Sequence, residues 1–136
     1  MRLLHTPAPS PAPAPRVLRI LIVEDHPDAG ESLGELLELE GHRVLHAKDG
    51  RTALALLRAE RPDALVCDLG LPDLSGHEVL LAARAGGFAP PIAVSISGYV
   101  AAEDEARALA AGFAAHFPKP AHDPLIAHLA LEARRQ

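Results

Sequence analysis

A chain of 136 residues holds one domain with a core of ordinary size and leaves no room for a second. Its formal charge of −5, with no dense basic cluster, argues against direct action on nucleic acid or on an anionic membrane. A single cysteine excludes an internal disulfide framework, no apolar run approaches the ~20 residues of a membrane span, and the N-terminus lacks the apolar centre of a signal peptide; the cytoplasm is the expected location.

Residues 6–15 alternate proline with small residues, a composition that buries nothing and favours an extended polyproline-like chain. Residues 1–15 are therefore read as a disordered leader or linker and residues 16–136 as the folded domain. The apolar run Val17 to Val23 is a strand ending on Glu24-Asp25. A helix follows, capped by Asp28 or a neighbour and stopped at Gly41. His42 to Ala47 is a short second strand, and Asp49-Gly50 turns into a helix carrying Ala53, Leu54 and Leu57. A third strand, Ala64 to Asp68, ends on a carboxylate. The loop after it runs to Gly76, with Asp73 shaping it and Ser75 capping a helix over Gly76 to Ala85. Pro91 to Ser97 is a fourth strand, Glu103 to Ala111 a helix stopped by Gly112, Ala115 to Pro118 a fifth strand, and Asp123 to Arg134 a last helix. Five strand–helix units in series require a parallel sheet with helices on both faces.

Glu24, Asp25, Asp68, Ser97 and Lys119 all fall at carboxyl ends of strands, where open α/β sheets bind ligands. Three carboxylates in one crevice repel, and a hard divalent cation relieves them: magnesium, with manganese as an alternative. A carboxylate so placed is also a nucleophile toward phosphorus, with Lys119 as a point charge and Ser97 as a hydroxyl donor for phosphoryl oxygens. Gly70 lets the backbone turn a carbonyl toward the metal.

Ile20-Leu21-Ile22-Val23-Glu24-Asp25, Asp68-Leu69-Gly70-Leu71-Pro72-Asp73-Leu74-Ser75-Gly76, Ser97-Gly98-Tyr99 and Phe117-Pro118-Lys119-Pro120 together resemble the receiver domain of two-component response regulators, from Arg16 to the C-terminus. The resemblance implies a flavodoxin-like (βα)5 doubly wound sandwich with strand order 2-1-3-4-5. It implies Asp68 as phosphoacceptor from a sensor histidine kinase or histidine phosphotransfer protein. Glu24, Asp25, Asp68 and the Gly70 carbonyl would hold Mg2+, Ser97 would be the switch hydroxyl, and Lys119 the phosphate contact, followed by a cis Pro120. Such a domain is a signalling switch, supporting only its own phosphorylation and dephosphorylation. Its fourth helix, fifth strand and fifth helix would meet a downstream effector protein, as a monomer or weak homodimer. The chain would be a stand-alone receiver or one excised from a larger protein.

The chain departs from the family pattern in four places. The switch-aromatic position falls on His116, which adds a group that titrates near neutrality. Gly70 and Tyr99 occupy the two positions that tune the lifetime of the phosphoaspartate, and Pro91 to Ser97 is one residue long for its strand, which implies a bulge or a shifted start. Cys67 is read as a small core residue, His26 as a surface-loop histidine, and His42 and His46 as strand residues without a metal. His77, His122 and His128 are expected in solvent, and Leu33, Leu36, Leu54, Leu57, Leu80, Leu125 and Leu129 in the core. Two other functions compete. A haloacid-dehalogenase-type phosphatase needs an acid two residues after the nucleophile, where Gly70 stands. A degenerate receiver would bind partners without phosphorylation, which the intact Asp25, Asp68, Ser97 and Lys119 set argues against.

Overall fold

Among the described residues ten elements alternate: β1 (Arg19–Val23), α1 (Pro27–Leu39), β2 (Arg43–Ala47), α2 (Gly50–Glu60), β3 (Ala64–Asp68), α3 (Gly76–Ala85), β4 (Ile92–Ser97), α4 (Ala102–Ala111), β5 (Ala115–Pro118) and α5 (His122–Ala133). This computed structural model describes residues 16–98, 102–120 and 122–135. The leader expected over residues 1–15 and the position of Tyr99 lie outside the described residues. All strand pairs are parallel, and the sheet order is β2-β1-β3-β4-β5, the doubly wound order expected.

Strand side chains alternate between faces, and in β1 this period of two sorts the core. Leu21 and Val23 join Leu57, Leu65, Val79, Leu80 and Phe113 under α2, α3 and α4. Ile20 and Ile22 join Leu33, Leu37, Val66, Val94, Leu125 and Leu129 under α1 and α5. Every residue of β3 is buried, so Asp68 ends a strand covered on both sides. Gly41 (φ 94°) and Gly112 (φ 113°) take the left-handed conformation that stops α1 and α4.

Several expectations need correction. Asp28 does not cap α1. Pro27 opens the helix, His26 holds the extended conformation before it without a side-chain cap, and Asp28 sits in the first turn, where its charge suits the helix dipole. No bulge interrupts β4 in its pairing with β3 or β5; the register is one-for-one. The strand begins at Ile92, whose N–H donates to the Asp63 carbonyl at 3.3 Å, because Pro91 has no N–H to give. His77 is not in solvent: it is buried on α3, with neither ring nitrogen hydrogen-bonded among the described residues. His128 is half-buried, its ring edge-on to Phe117 at 5.7 Å. Leu36 and Leu54 are only partly buried. His42 is buried, and its Nδ1 accepts the Leu18 N–H at 3.1 Å. That bond requires an unprotonated nitrogen, and burial likewise pushes the His42 pKa down.

Candidate functional site

Register brings the acids together. Val23 pairs with Cys67, so Glu24 and Asp68 leave adjacent strands side by side, and both are buried. Ser97 ends β4, and its carbonyl accepts the Lys119 N–H at 2.8 Å, which sets the end of β5 beside it. The Lys119–Pro120 peptide is cis, as expected. Lys119 Nζ lies 2.8 Å from Asp68 Oδ2 and also pairs with Glu24 Oε2. Burial lowers the lysine's pKa, but the hydrogen bonds to Asp68 and Glu24 outweigh it, and the net shift is upward. Asp68 Oδ1 accepts the Gly70 N–H at 3.0 Å. Cys67 is fully buried; desolvation, with the neighbouring acids, drives its thiol pKa up, and the core assignment stands.

Glu24, Asp25, His26 and Asp68 can each place one ligand atom within 4.8 Å of all the others. Glu24 Oε2 and Asp25 Oδ1 are buried, and their contacts are the ion pairs to Lys119 and His26. One lysine set against three carboxylates leaves negative charge uncompensated, and these oxygen donors fit a divalent cation. His26 is a surface-loop residue, as expected, and it also approaches the acids. Its ring is exposed, yet Nδ1 lies 3.2 Å from Glu24 Oε1 and 3.2 Å from Asp25 Oδ1. The hydrogen bond to Glu24, then the charge of Asp25, raise its pKa. The signal was Pro27: a residue before proline is held extended, and here that returns the ring to the acid pair.

His116, at the switch-aromatic position, pairs in register with Ser95, and its Nδ1 lies 2.7 Å from Ser95 Oγ. Two polar residues facing each other inside otherwise apolar strands were the sequence signal for this contact. A cavity of about 310 Å³ opens beside the acids, lined by Glu24, Gly30, Leu33, Lys119, Pro120 and Leu125.

The loop after the acceptor is tied to α2. Asp73 accepts the N–H groups of Gly50 (2.7 Å), Arg51 (3.0 Å) and Leu74 (2.8 Å), while Asp49 caps α2 through Thr52 N–H at 2.7 Å. The start of α2 is thereby satisfied from two directions. The Gly50 amide does most to hold the Asp73 carboxyl below its ordinary pKa; desolvation opposes it, and the amides of Arg51 and Leu74 add to the lowering. A depressed carboxyl stabilises the fold above its unfolded pKa of about 3.9 and loses that contribution as pH falls through the folded value. Asp73→Asn is therefore expected to lower stability at neutral pH and to flatten the acid-side loss below about pH 4, as read by urea unfolding across pH. An unchanged pH profile would refute the tie. Ser75 caps α3 in a capping box with Glu78, as expected.

Comparison with known proteins matches residues 20–130 to the family model of the response regulator receiver domain. Response regulator MprA of Mycolicibacterium vanbaalenii is 38% identical over 119 residues, covering 87% of this chain and 51% of its own. An uncharacterized 14.6 kDa protein of Leptolyngbya boryana is 38% identical over 109 residues, covering 78% of this chain and 81% of its own. The chain spans about half the length of MprA and of most curated relatives it matches. Among solved structures, a CheY-like response regulator receiver domain protein of Methanospirillum hungatei superposes with a TM-score of 0.77 at 29% identity, covering 86% of this chain and 94% of its own. With its five-stranded parallel sheet and an acidic crevice at the strand ends, the chain belongs to the response regulator receiver domain family of two-component systems.

Proposed function

We propose that the chain is a phosphorylation-controlled switch whose acceptor is Asp68. The observation that carries this is the Lys119–Asp68 contact at 2.8 Å: a nucleophilic carboxylate and a phosphate-binding cation, 51 residues apart in sequence, share one crevice. The donor is a phosphohistidine of a sensor kinase or phosphotransfer protein. One Asp68 oxygen forms a bond to phosphorus as the phosphorus–nitrogen bond breaks, and the electron pair returns to the donor imidazole. Glu24, Asp25, Asp68 and the Gly70 carbonyl hold Mg2+ or Mn2+. When bound, that ion neutralises charge on the phosphoryl oxygens. Lys119 turns from the Asp68 carboxylate to one phosphoryl oxygen, and the Ser97 hydroxyl donates to another. Movement of Ser97, felt at His116, shifts the packing of α4, β5 and α5 toward a state with altered affinity for an effector protein. The switch works in the cytoplasm, as a monomer or weak homodimer, through protein contacts rather than direct contact with nucleic acid. Among the described residues no helix is long and apolar enough to cross a membrane.

Acetyl phosphate with magnesium tests the reading by intact mass. One phosphoryl group is expected on the wild-type chain and none on Asp68→Asn. Steady hydrolysis of added phosphoesters would indicate a phosphatase instead. No adduct from any donor would mark a phosphorylation-independent binding module.

A further inference from the structure

We propose that the groove between α2 and α3 receives α1 of a second copy of this chain, in a head-to-tail contact with arginines on one side and carboxylates on the other. The contact needs no phosphoryl chemistry and lies apart from α4, β5 and α5.

The groove holds about 500 Å³, and Leu54, Ala55, Ala59, Ala82 and Phe88 line it. Its alanines let another helix come close. Arg58 stands at the edge with its guanidinium over the Phe88 ring, 4.9 Å from the centroid. Arg61 closes the end, where its Nη1 donates to the Gly87 carbonyl at 3.2 Å. Both guanidinium groups are thus held in place, and neither meets a carboxylate among the described residues. On a chain of formal charge −5, this pair of uncompensated cations over an apolar floor suits an acidic helix with an apolar edge.

The same chain carries such a helix. Asp28, Glu31, Glu35 and Glu38 are exposed on α1 and form no ion pair among the described residues. A repeat of about 3.6 residues per turn puts all four on one side of α1. Leu39, 84% exposed, stands at the edge of that stripe. The spacings agree: acids at positions 28, 35 and 38 match arginines at 51, 58 and 61. Laid parallel, α1 brings Asp28 to Arg51, Glu35 to Arg58 and Glu38 to Arg61, just past the end of α2. Arg51 is free to take part, since its side chain is 83% exposed and reaches Asp73 only at 3.9 Å. Leu39 then meets the Phe88 end of the groove and leaves the solvent.

α1 lies on one face of the sheet, and α2 and α3 lie on the other. A copy cannot fill its own groove, and two copies cannot fill each other's at once. The contact is therefore heterologous and extends dimers into longer chains.

Sedimentation velocity of the full chain from micromolar to millimolar concentration tests this. The mean mass is expected to rise with concentration at low salt and to fall back as added salt screens the charges. Arg58→Gln with Arg61→Gln, and separately Glu35→Gln with Glu38→Gln, should each weaken association about tenfold, the loss of two partly screened ion pairs. Mixed together, the two double variants retain one intact groove and one intact acidic helix, so they should form a dimer that does not grow. Recovery on mixing would also prove both variants folded. Association untouched by either double variant, or folded variants that fail to pair when mixed, overturns the inference, because the copies then meet through another face. A wild-type chain that stays monomeric at every concentration overturns it too and leaves the groove to an acidic helix of a different protein.

Discussion

Gly76→Ala is expected to destabilise the domain by about 3 kcal/mol, the upper end of ordinary overpacking, and to abolish phosphoryl acceptance. A Cβ at this position would lie 2.5 Å from the Asp68 carbonyl oxygen and 3.0 Å from Leu69 Cα, both backbone atoms without a rotamer to yield. Gly76 opens α3, and its N–H donates to the Leu69 carbonyl at 3.0 Å, so the helix start is bound to the same stretch it would strike. Relief requires moving α3 off the acceptor's own peptide, which also re-aims the carboxylate. Gly70→Ala is the matched control. Among the described residues its Cβ would meet only Asp68 Oδ1, at 3.9 Å, an ordinary contact, and stability should stay within about 0.5 kcal/mol. Urea unfolding of the two variants decides the matter, since indistinguishable midpoints would disprove close packing of α3 on the acceptor.

Lys119→Met should lower stability by about 2–3 kcal/mol in the presence of a chelator. Removing one partner from a buried pair costs ~3–5 kcal/mol because the other charge is left uncompensated. Here the figure is discounted because the lysine side chain is 26% exposed and water screens part of the interaction. Two buried acids, Glu24 and Asp68, lose the same cation at once, so the effect exceeds that of a surface pair. A divalent cation should then stabilise the variant more than the wild type, since stabilisation grows with affinity and Lys119 no longer competes for the carboxylates. Thermal unfolding with and without Mg2+ measures both parts. A chelated variant as stable as wild type would show that the lysine is not needed to hold these charges.

The strands that carry the site were legible because each is a mainly apolar run with a polar residue at its end or just past it. β3 and β5 fall on the expected residues, and Glu24, Asp68, Ser97 and Lys119 lie at adjacent strand ends. Less legible were residues whose environment depends on neighbours distant in sequence. His77 reads as a polar helix residue, yet it stands one turn before Leu80 on the buried side of α3. His26 reads as loop, because the turn that brings it back to Glu24 is made by backbone conformation and not by hydrophobic pattern. The extra residue before Ser97 suggested a bulge or a shifted start, and it is the start that shifts, with Pro91 left outside the ladder. Asp73 was assigned to its own loop; its reach to α2, 23 residues upstream, has no local periodic signature.

That reach has a consequence for how the domain tolerates change. A single carboxylate closes both the beginning of one helix and the end of the segment following the acceptor. Inserting or deleting a residue between Gly70 and Asp73 would withdraw it from Gly50 and Arg51, so α2 would fray at its first turn although none of its own residues had been altered. Length in this segment is thus fixed by a helix on the far side of the turn, and variation there should be confined to substitutions.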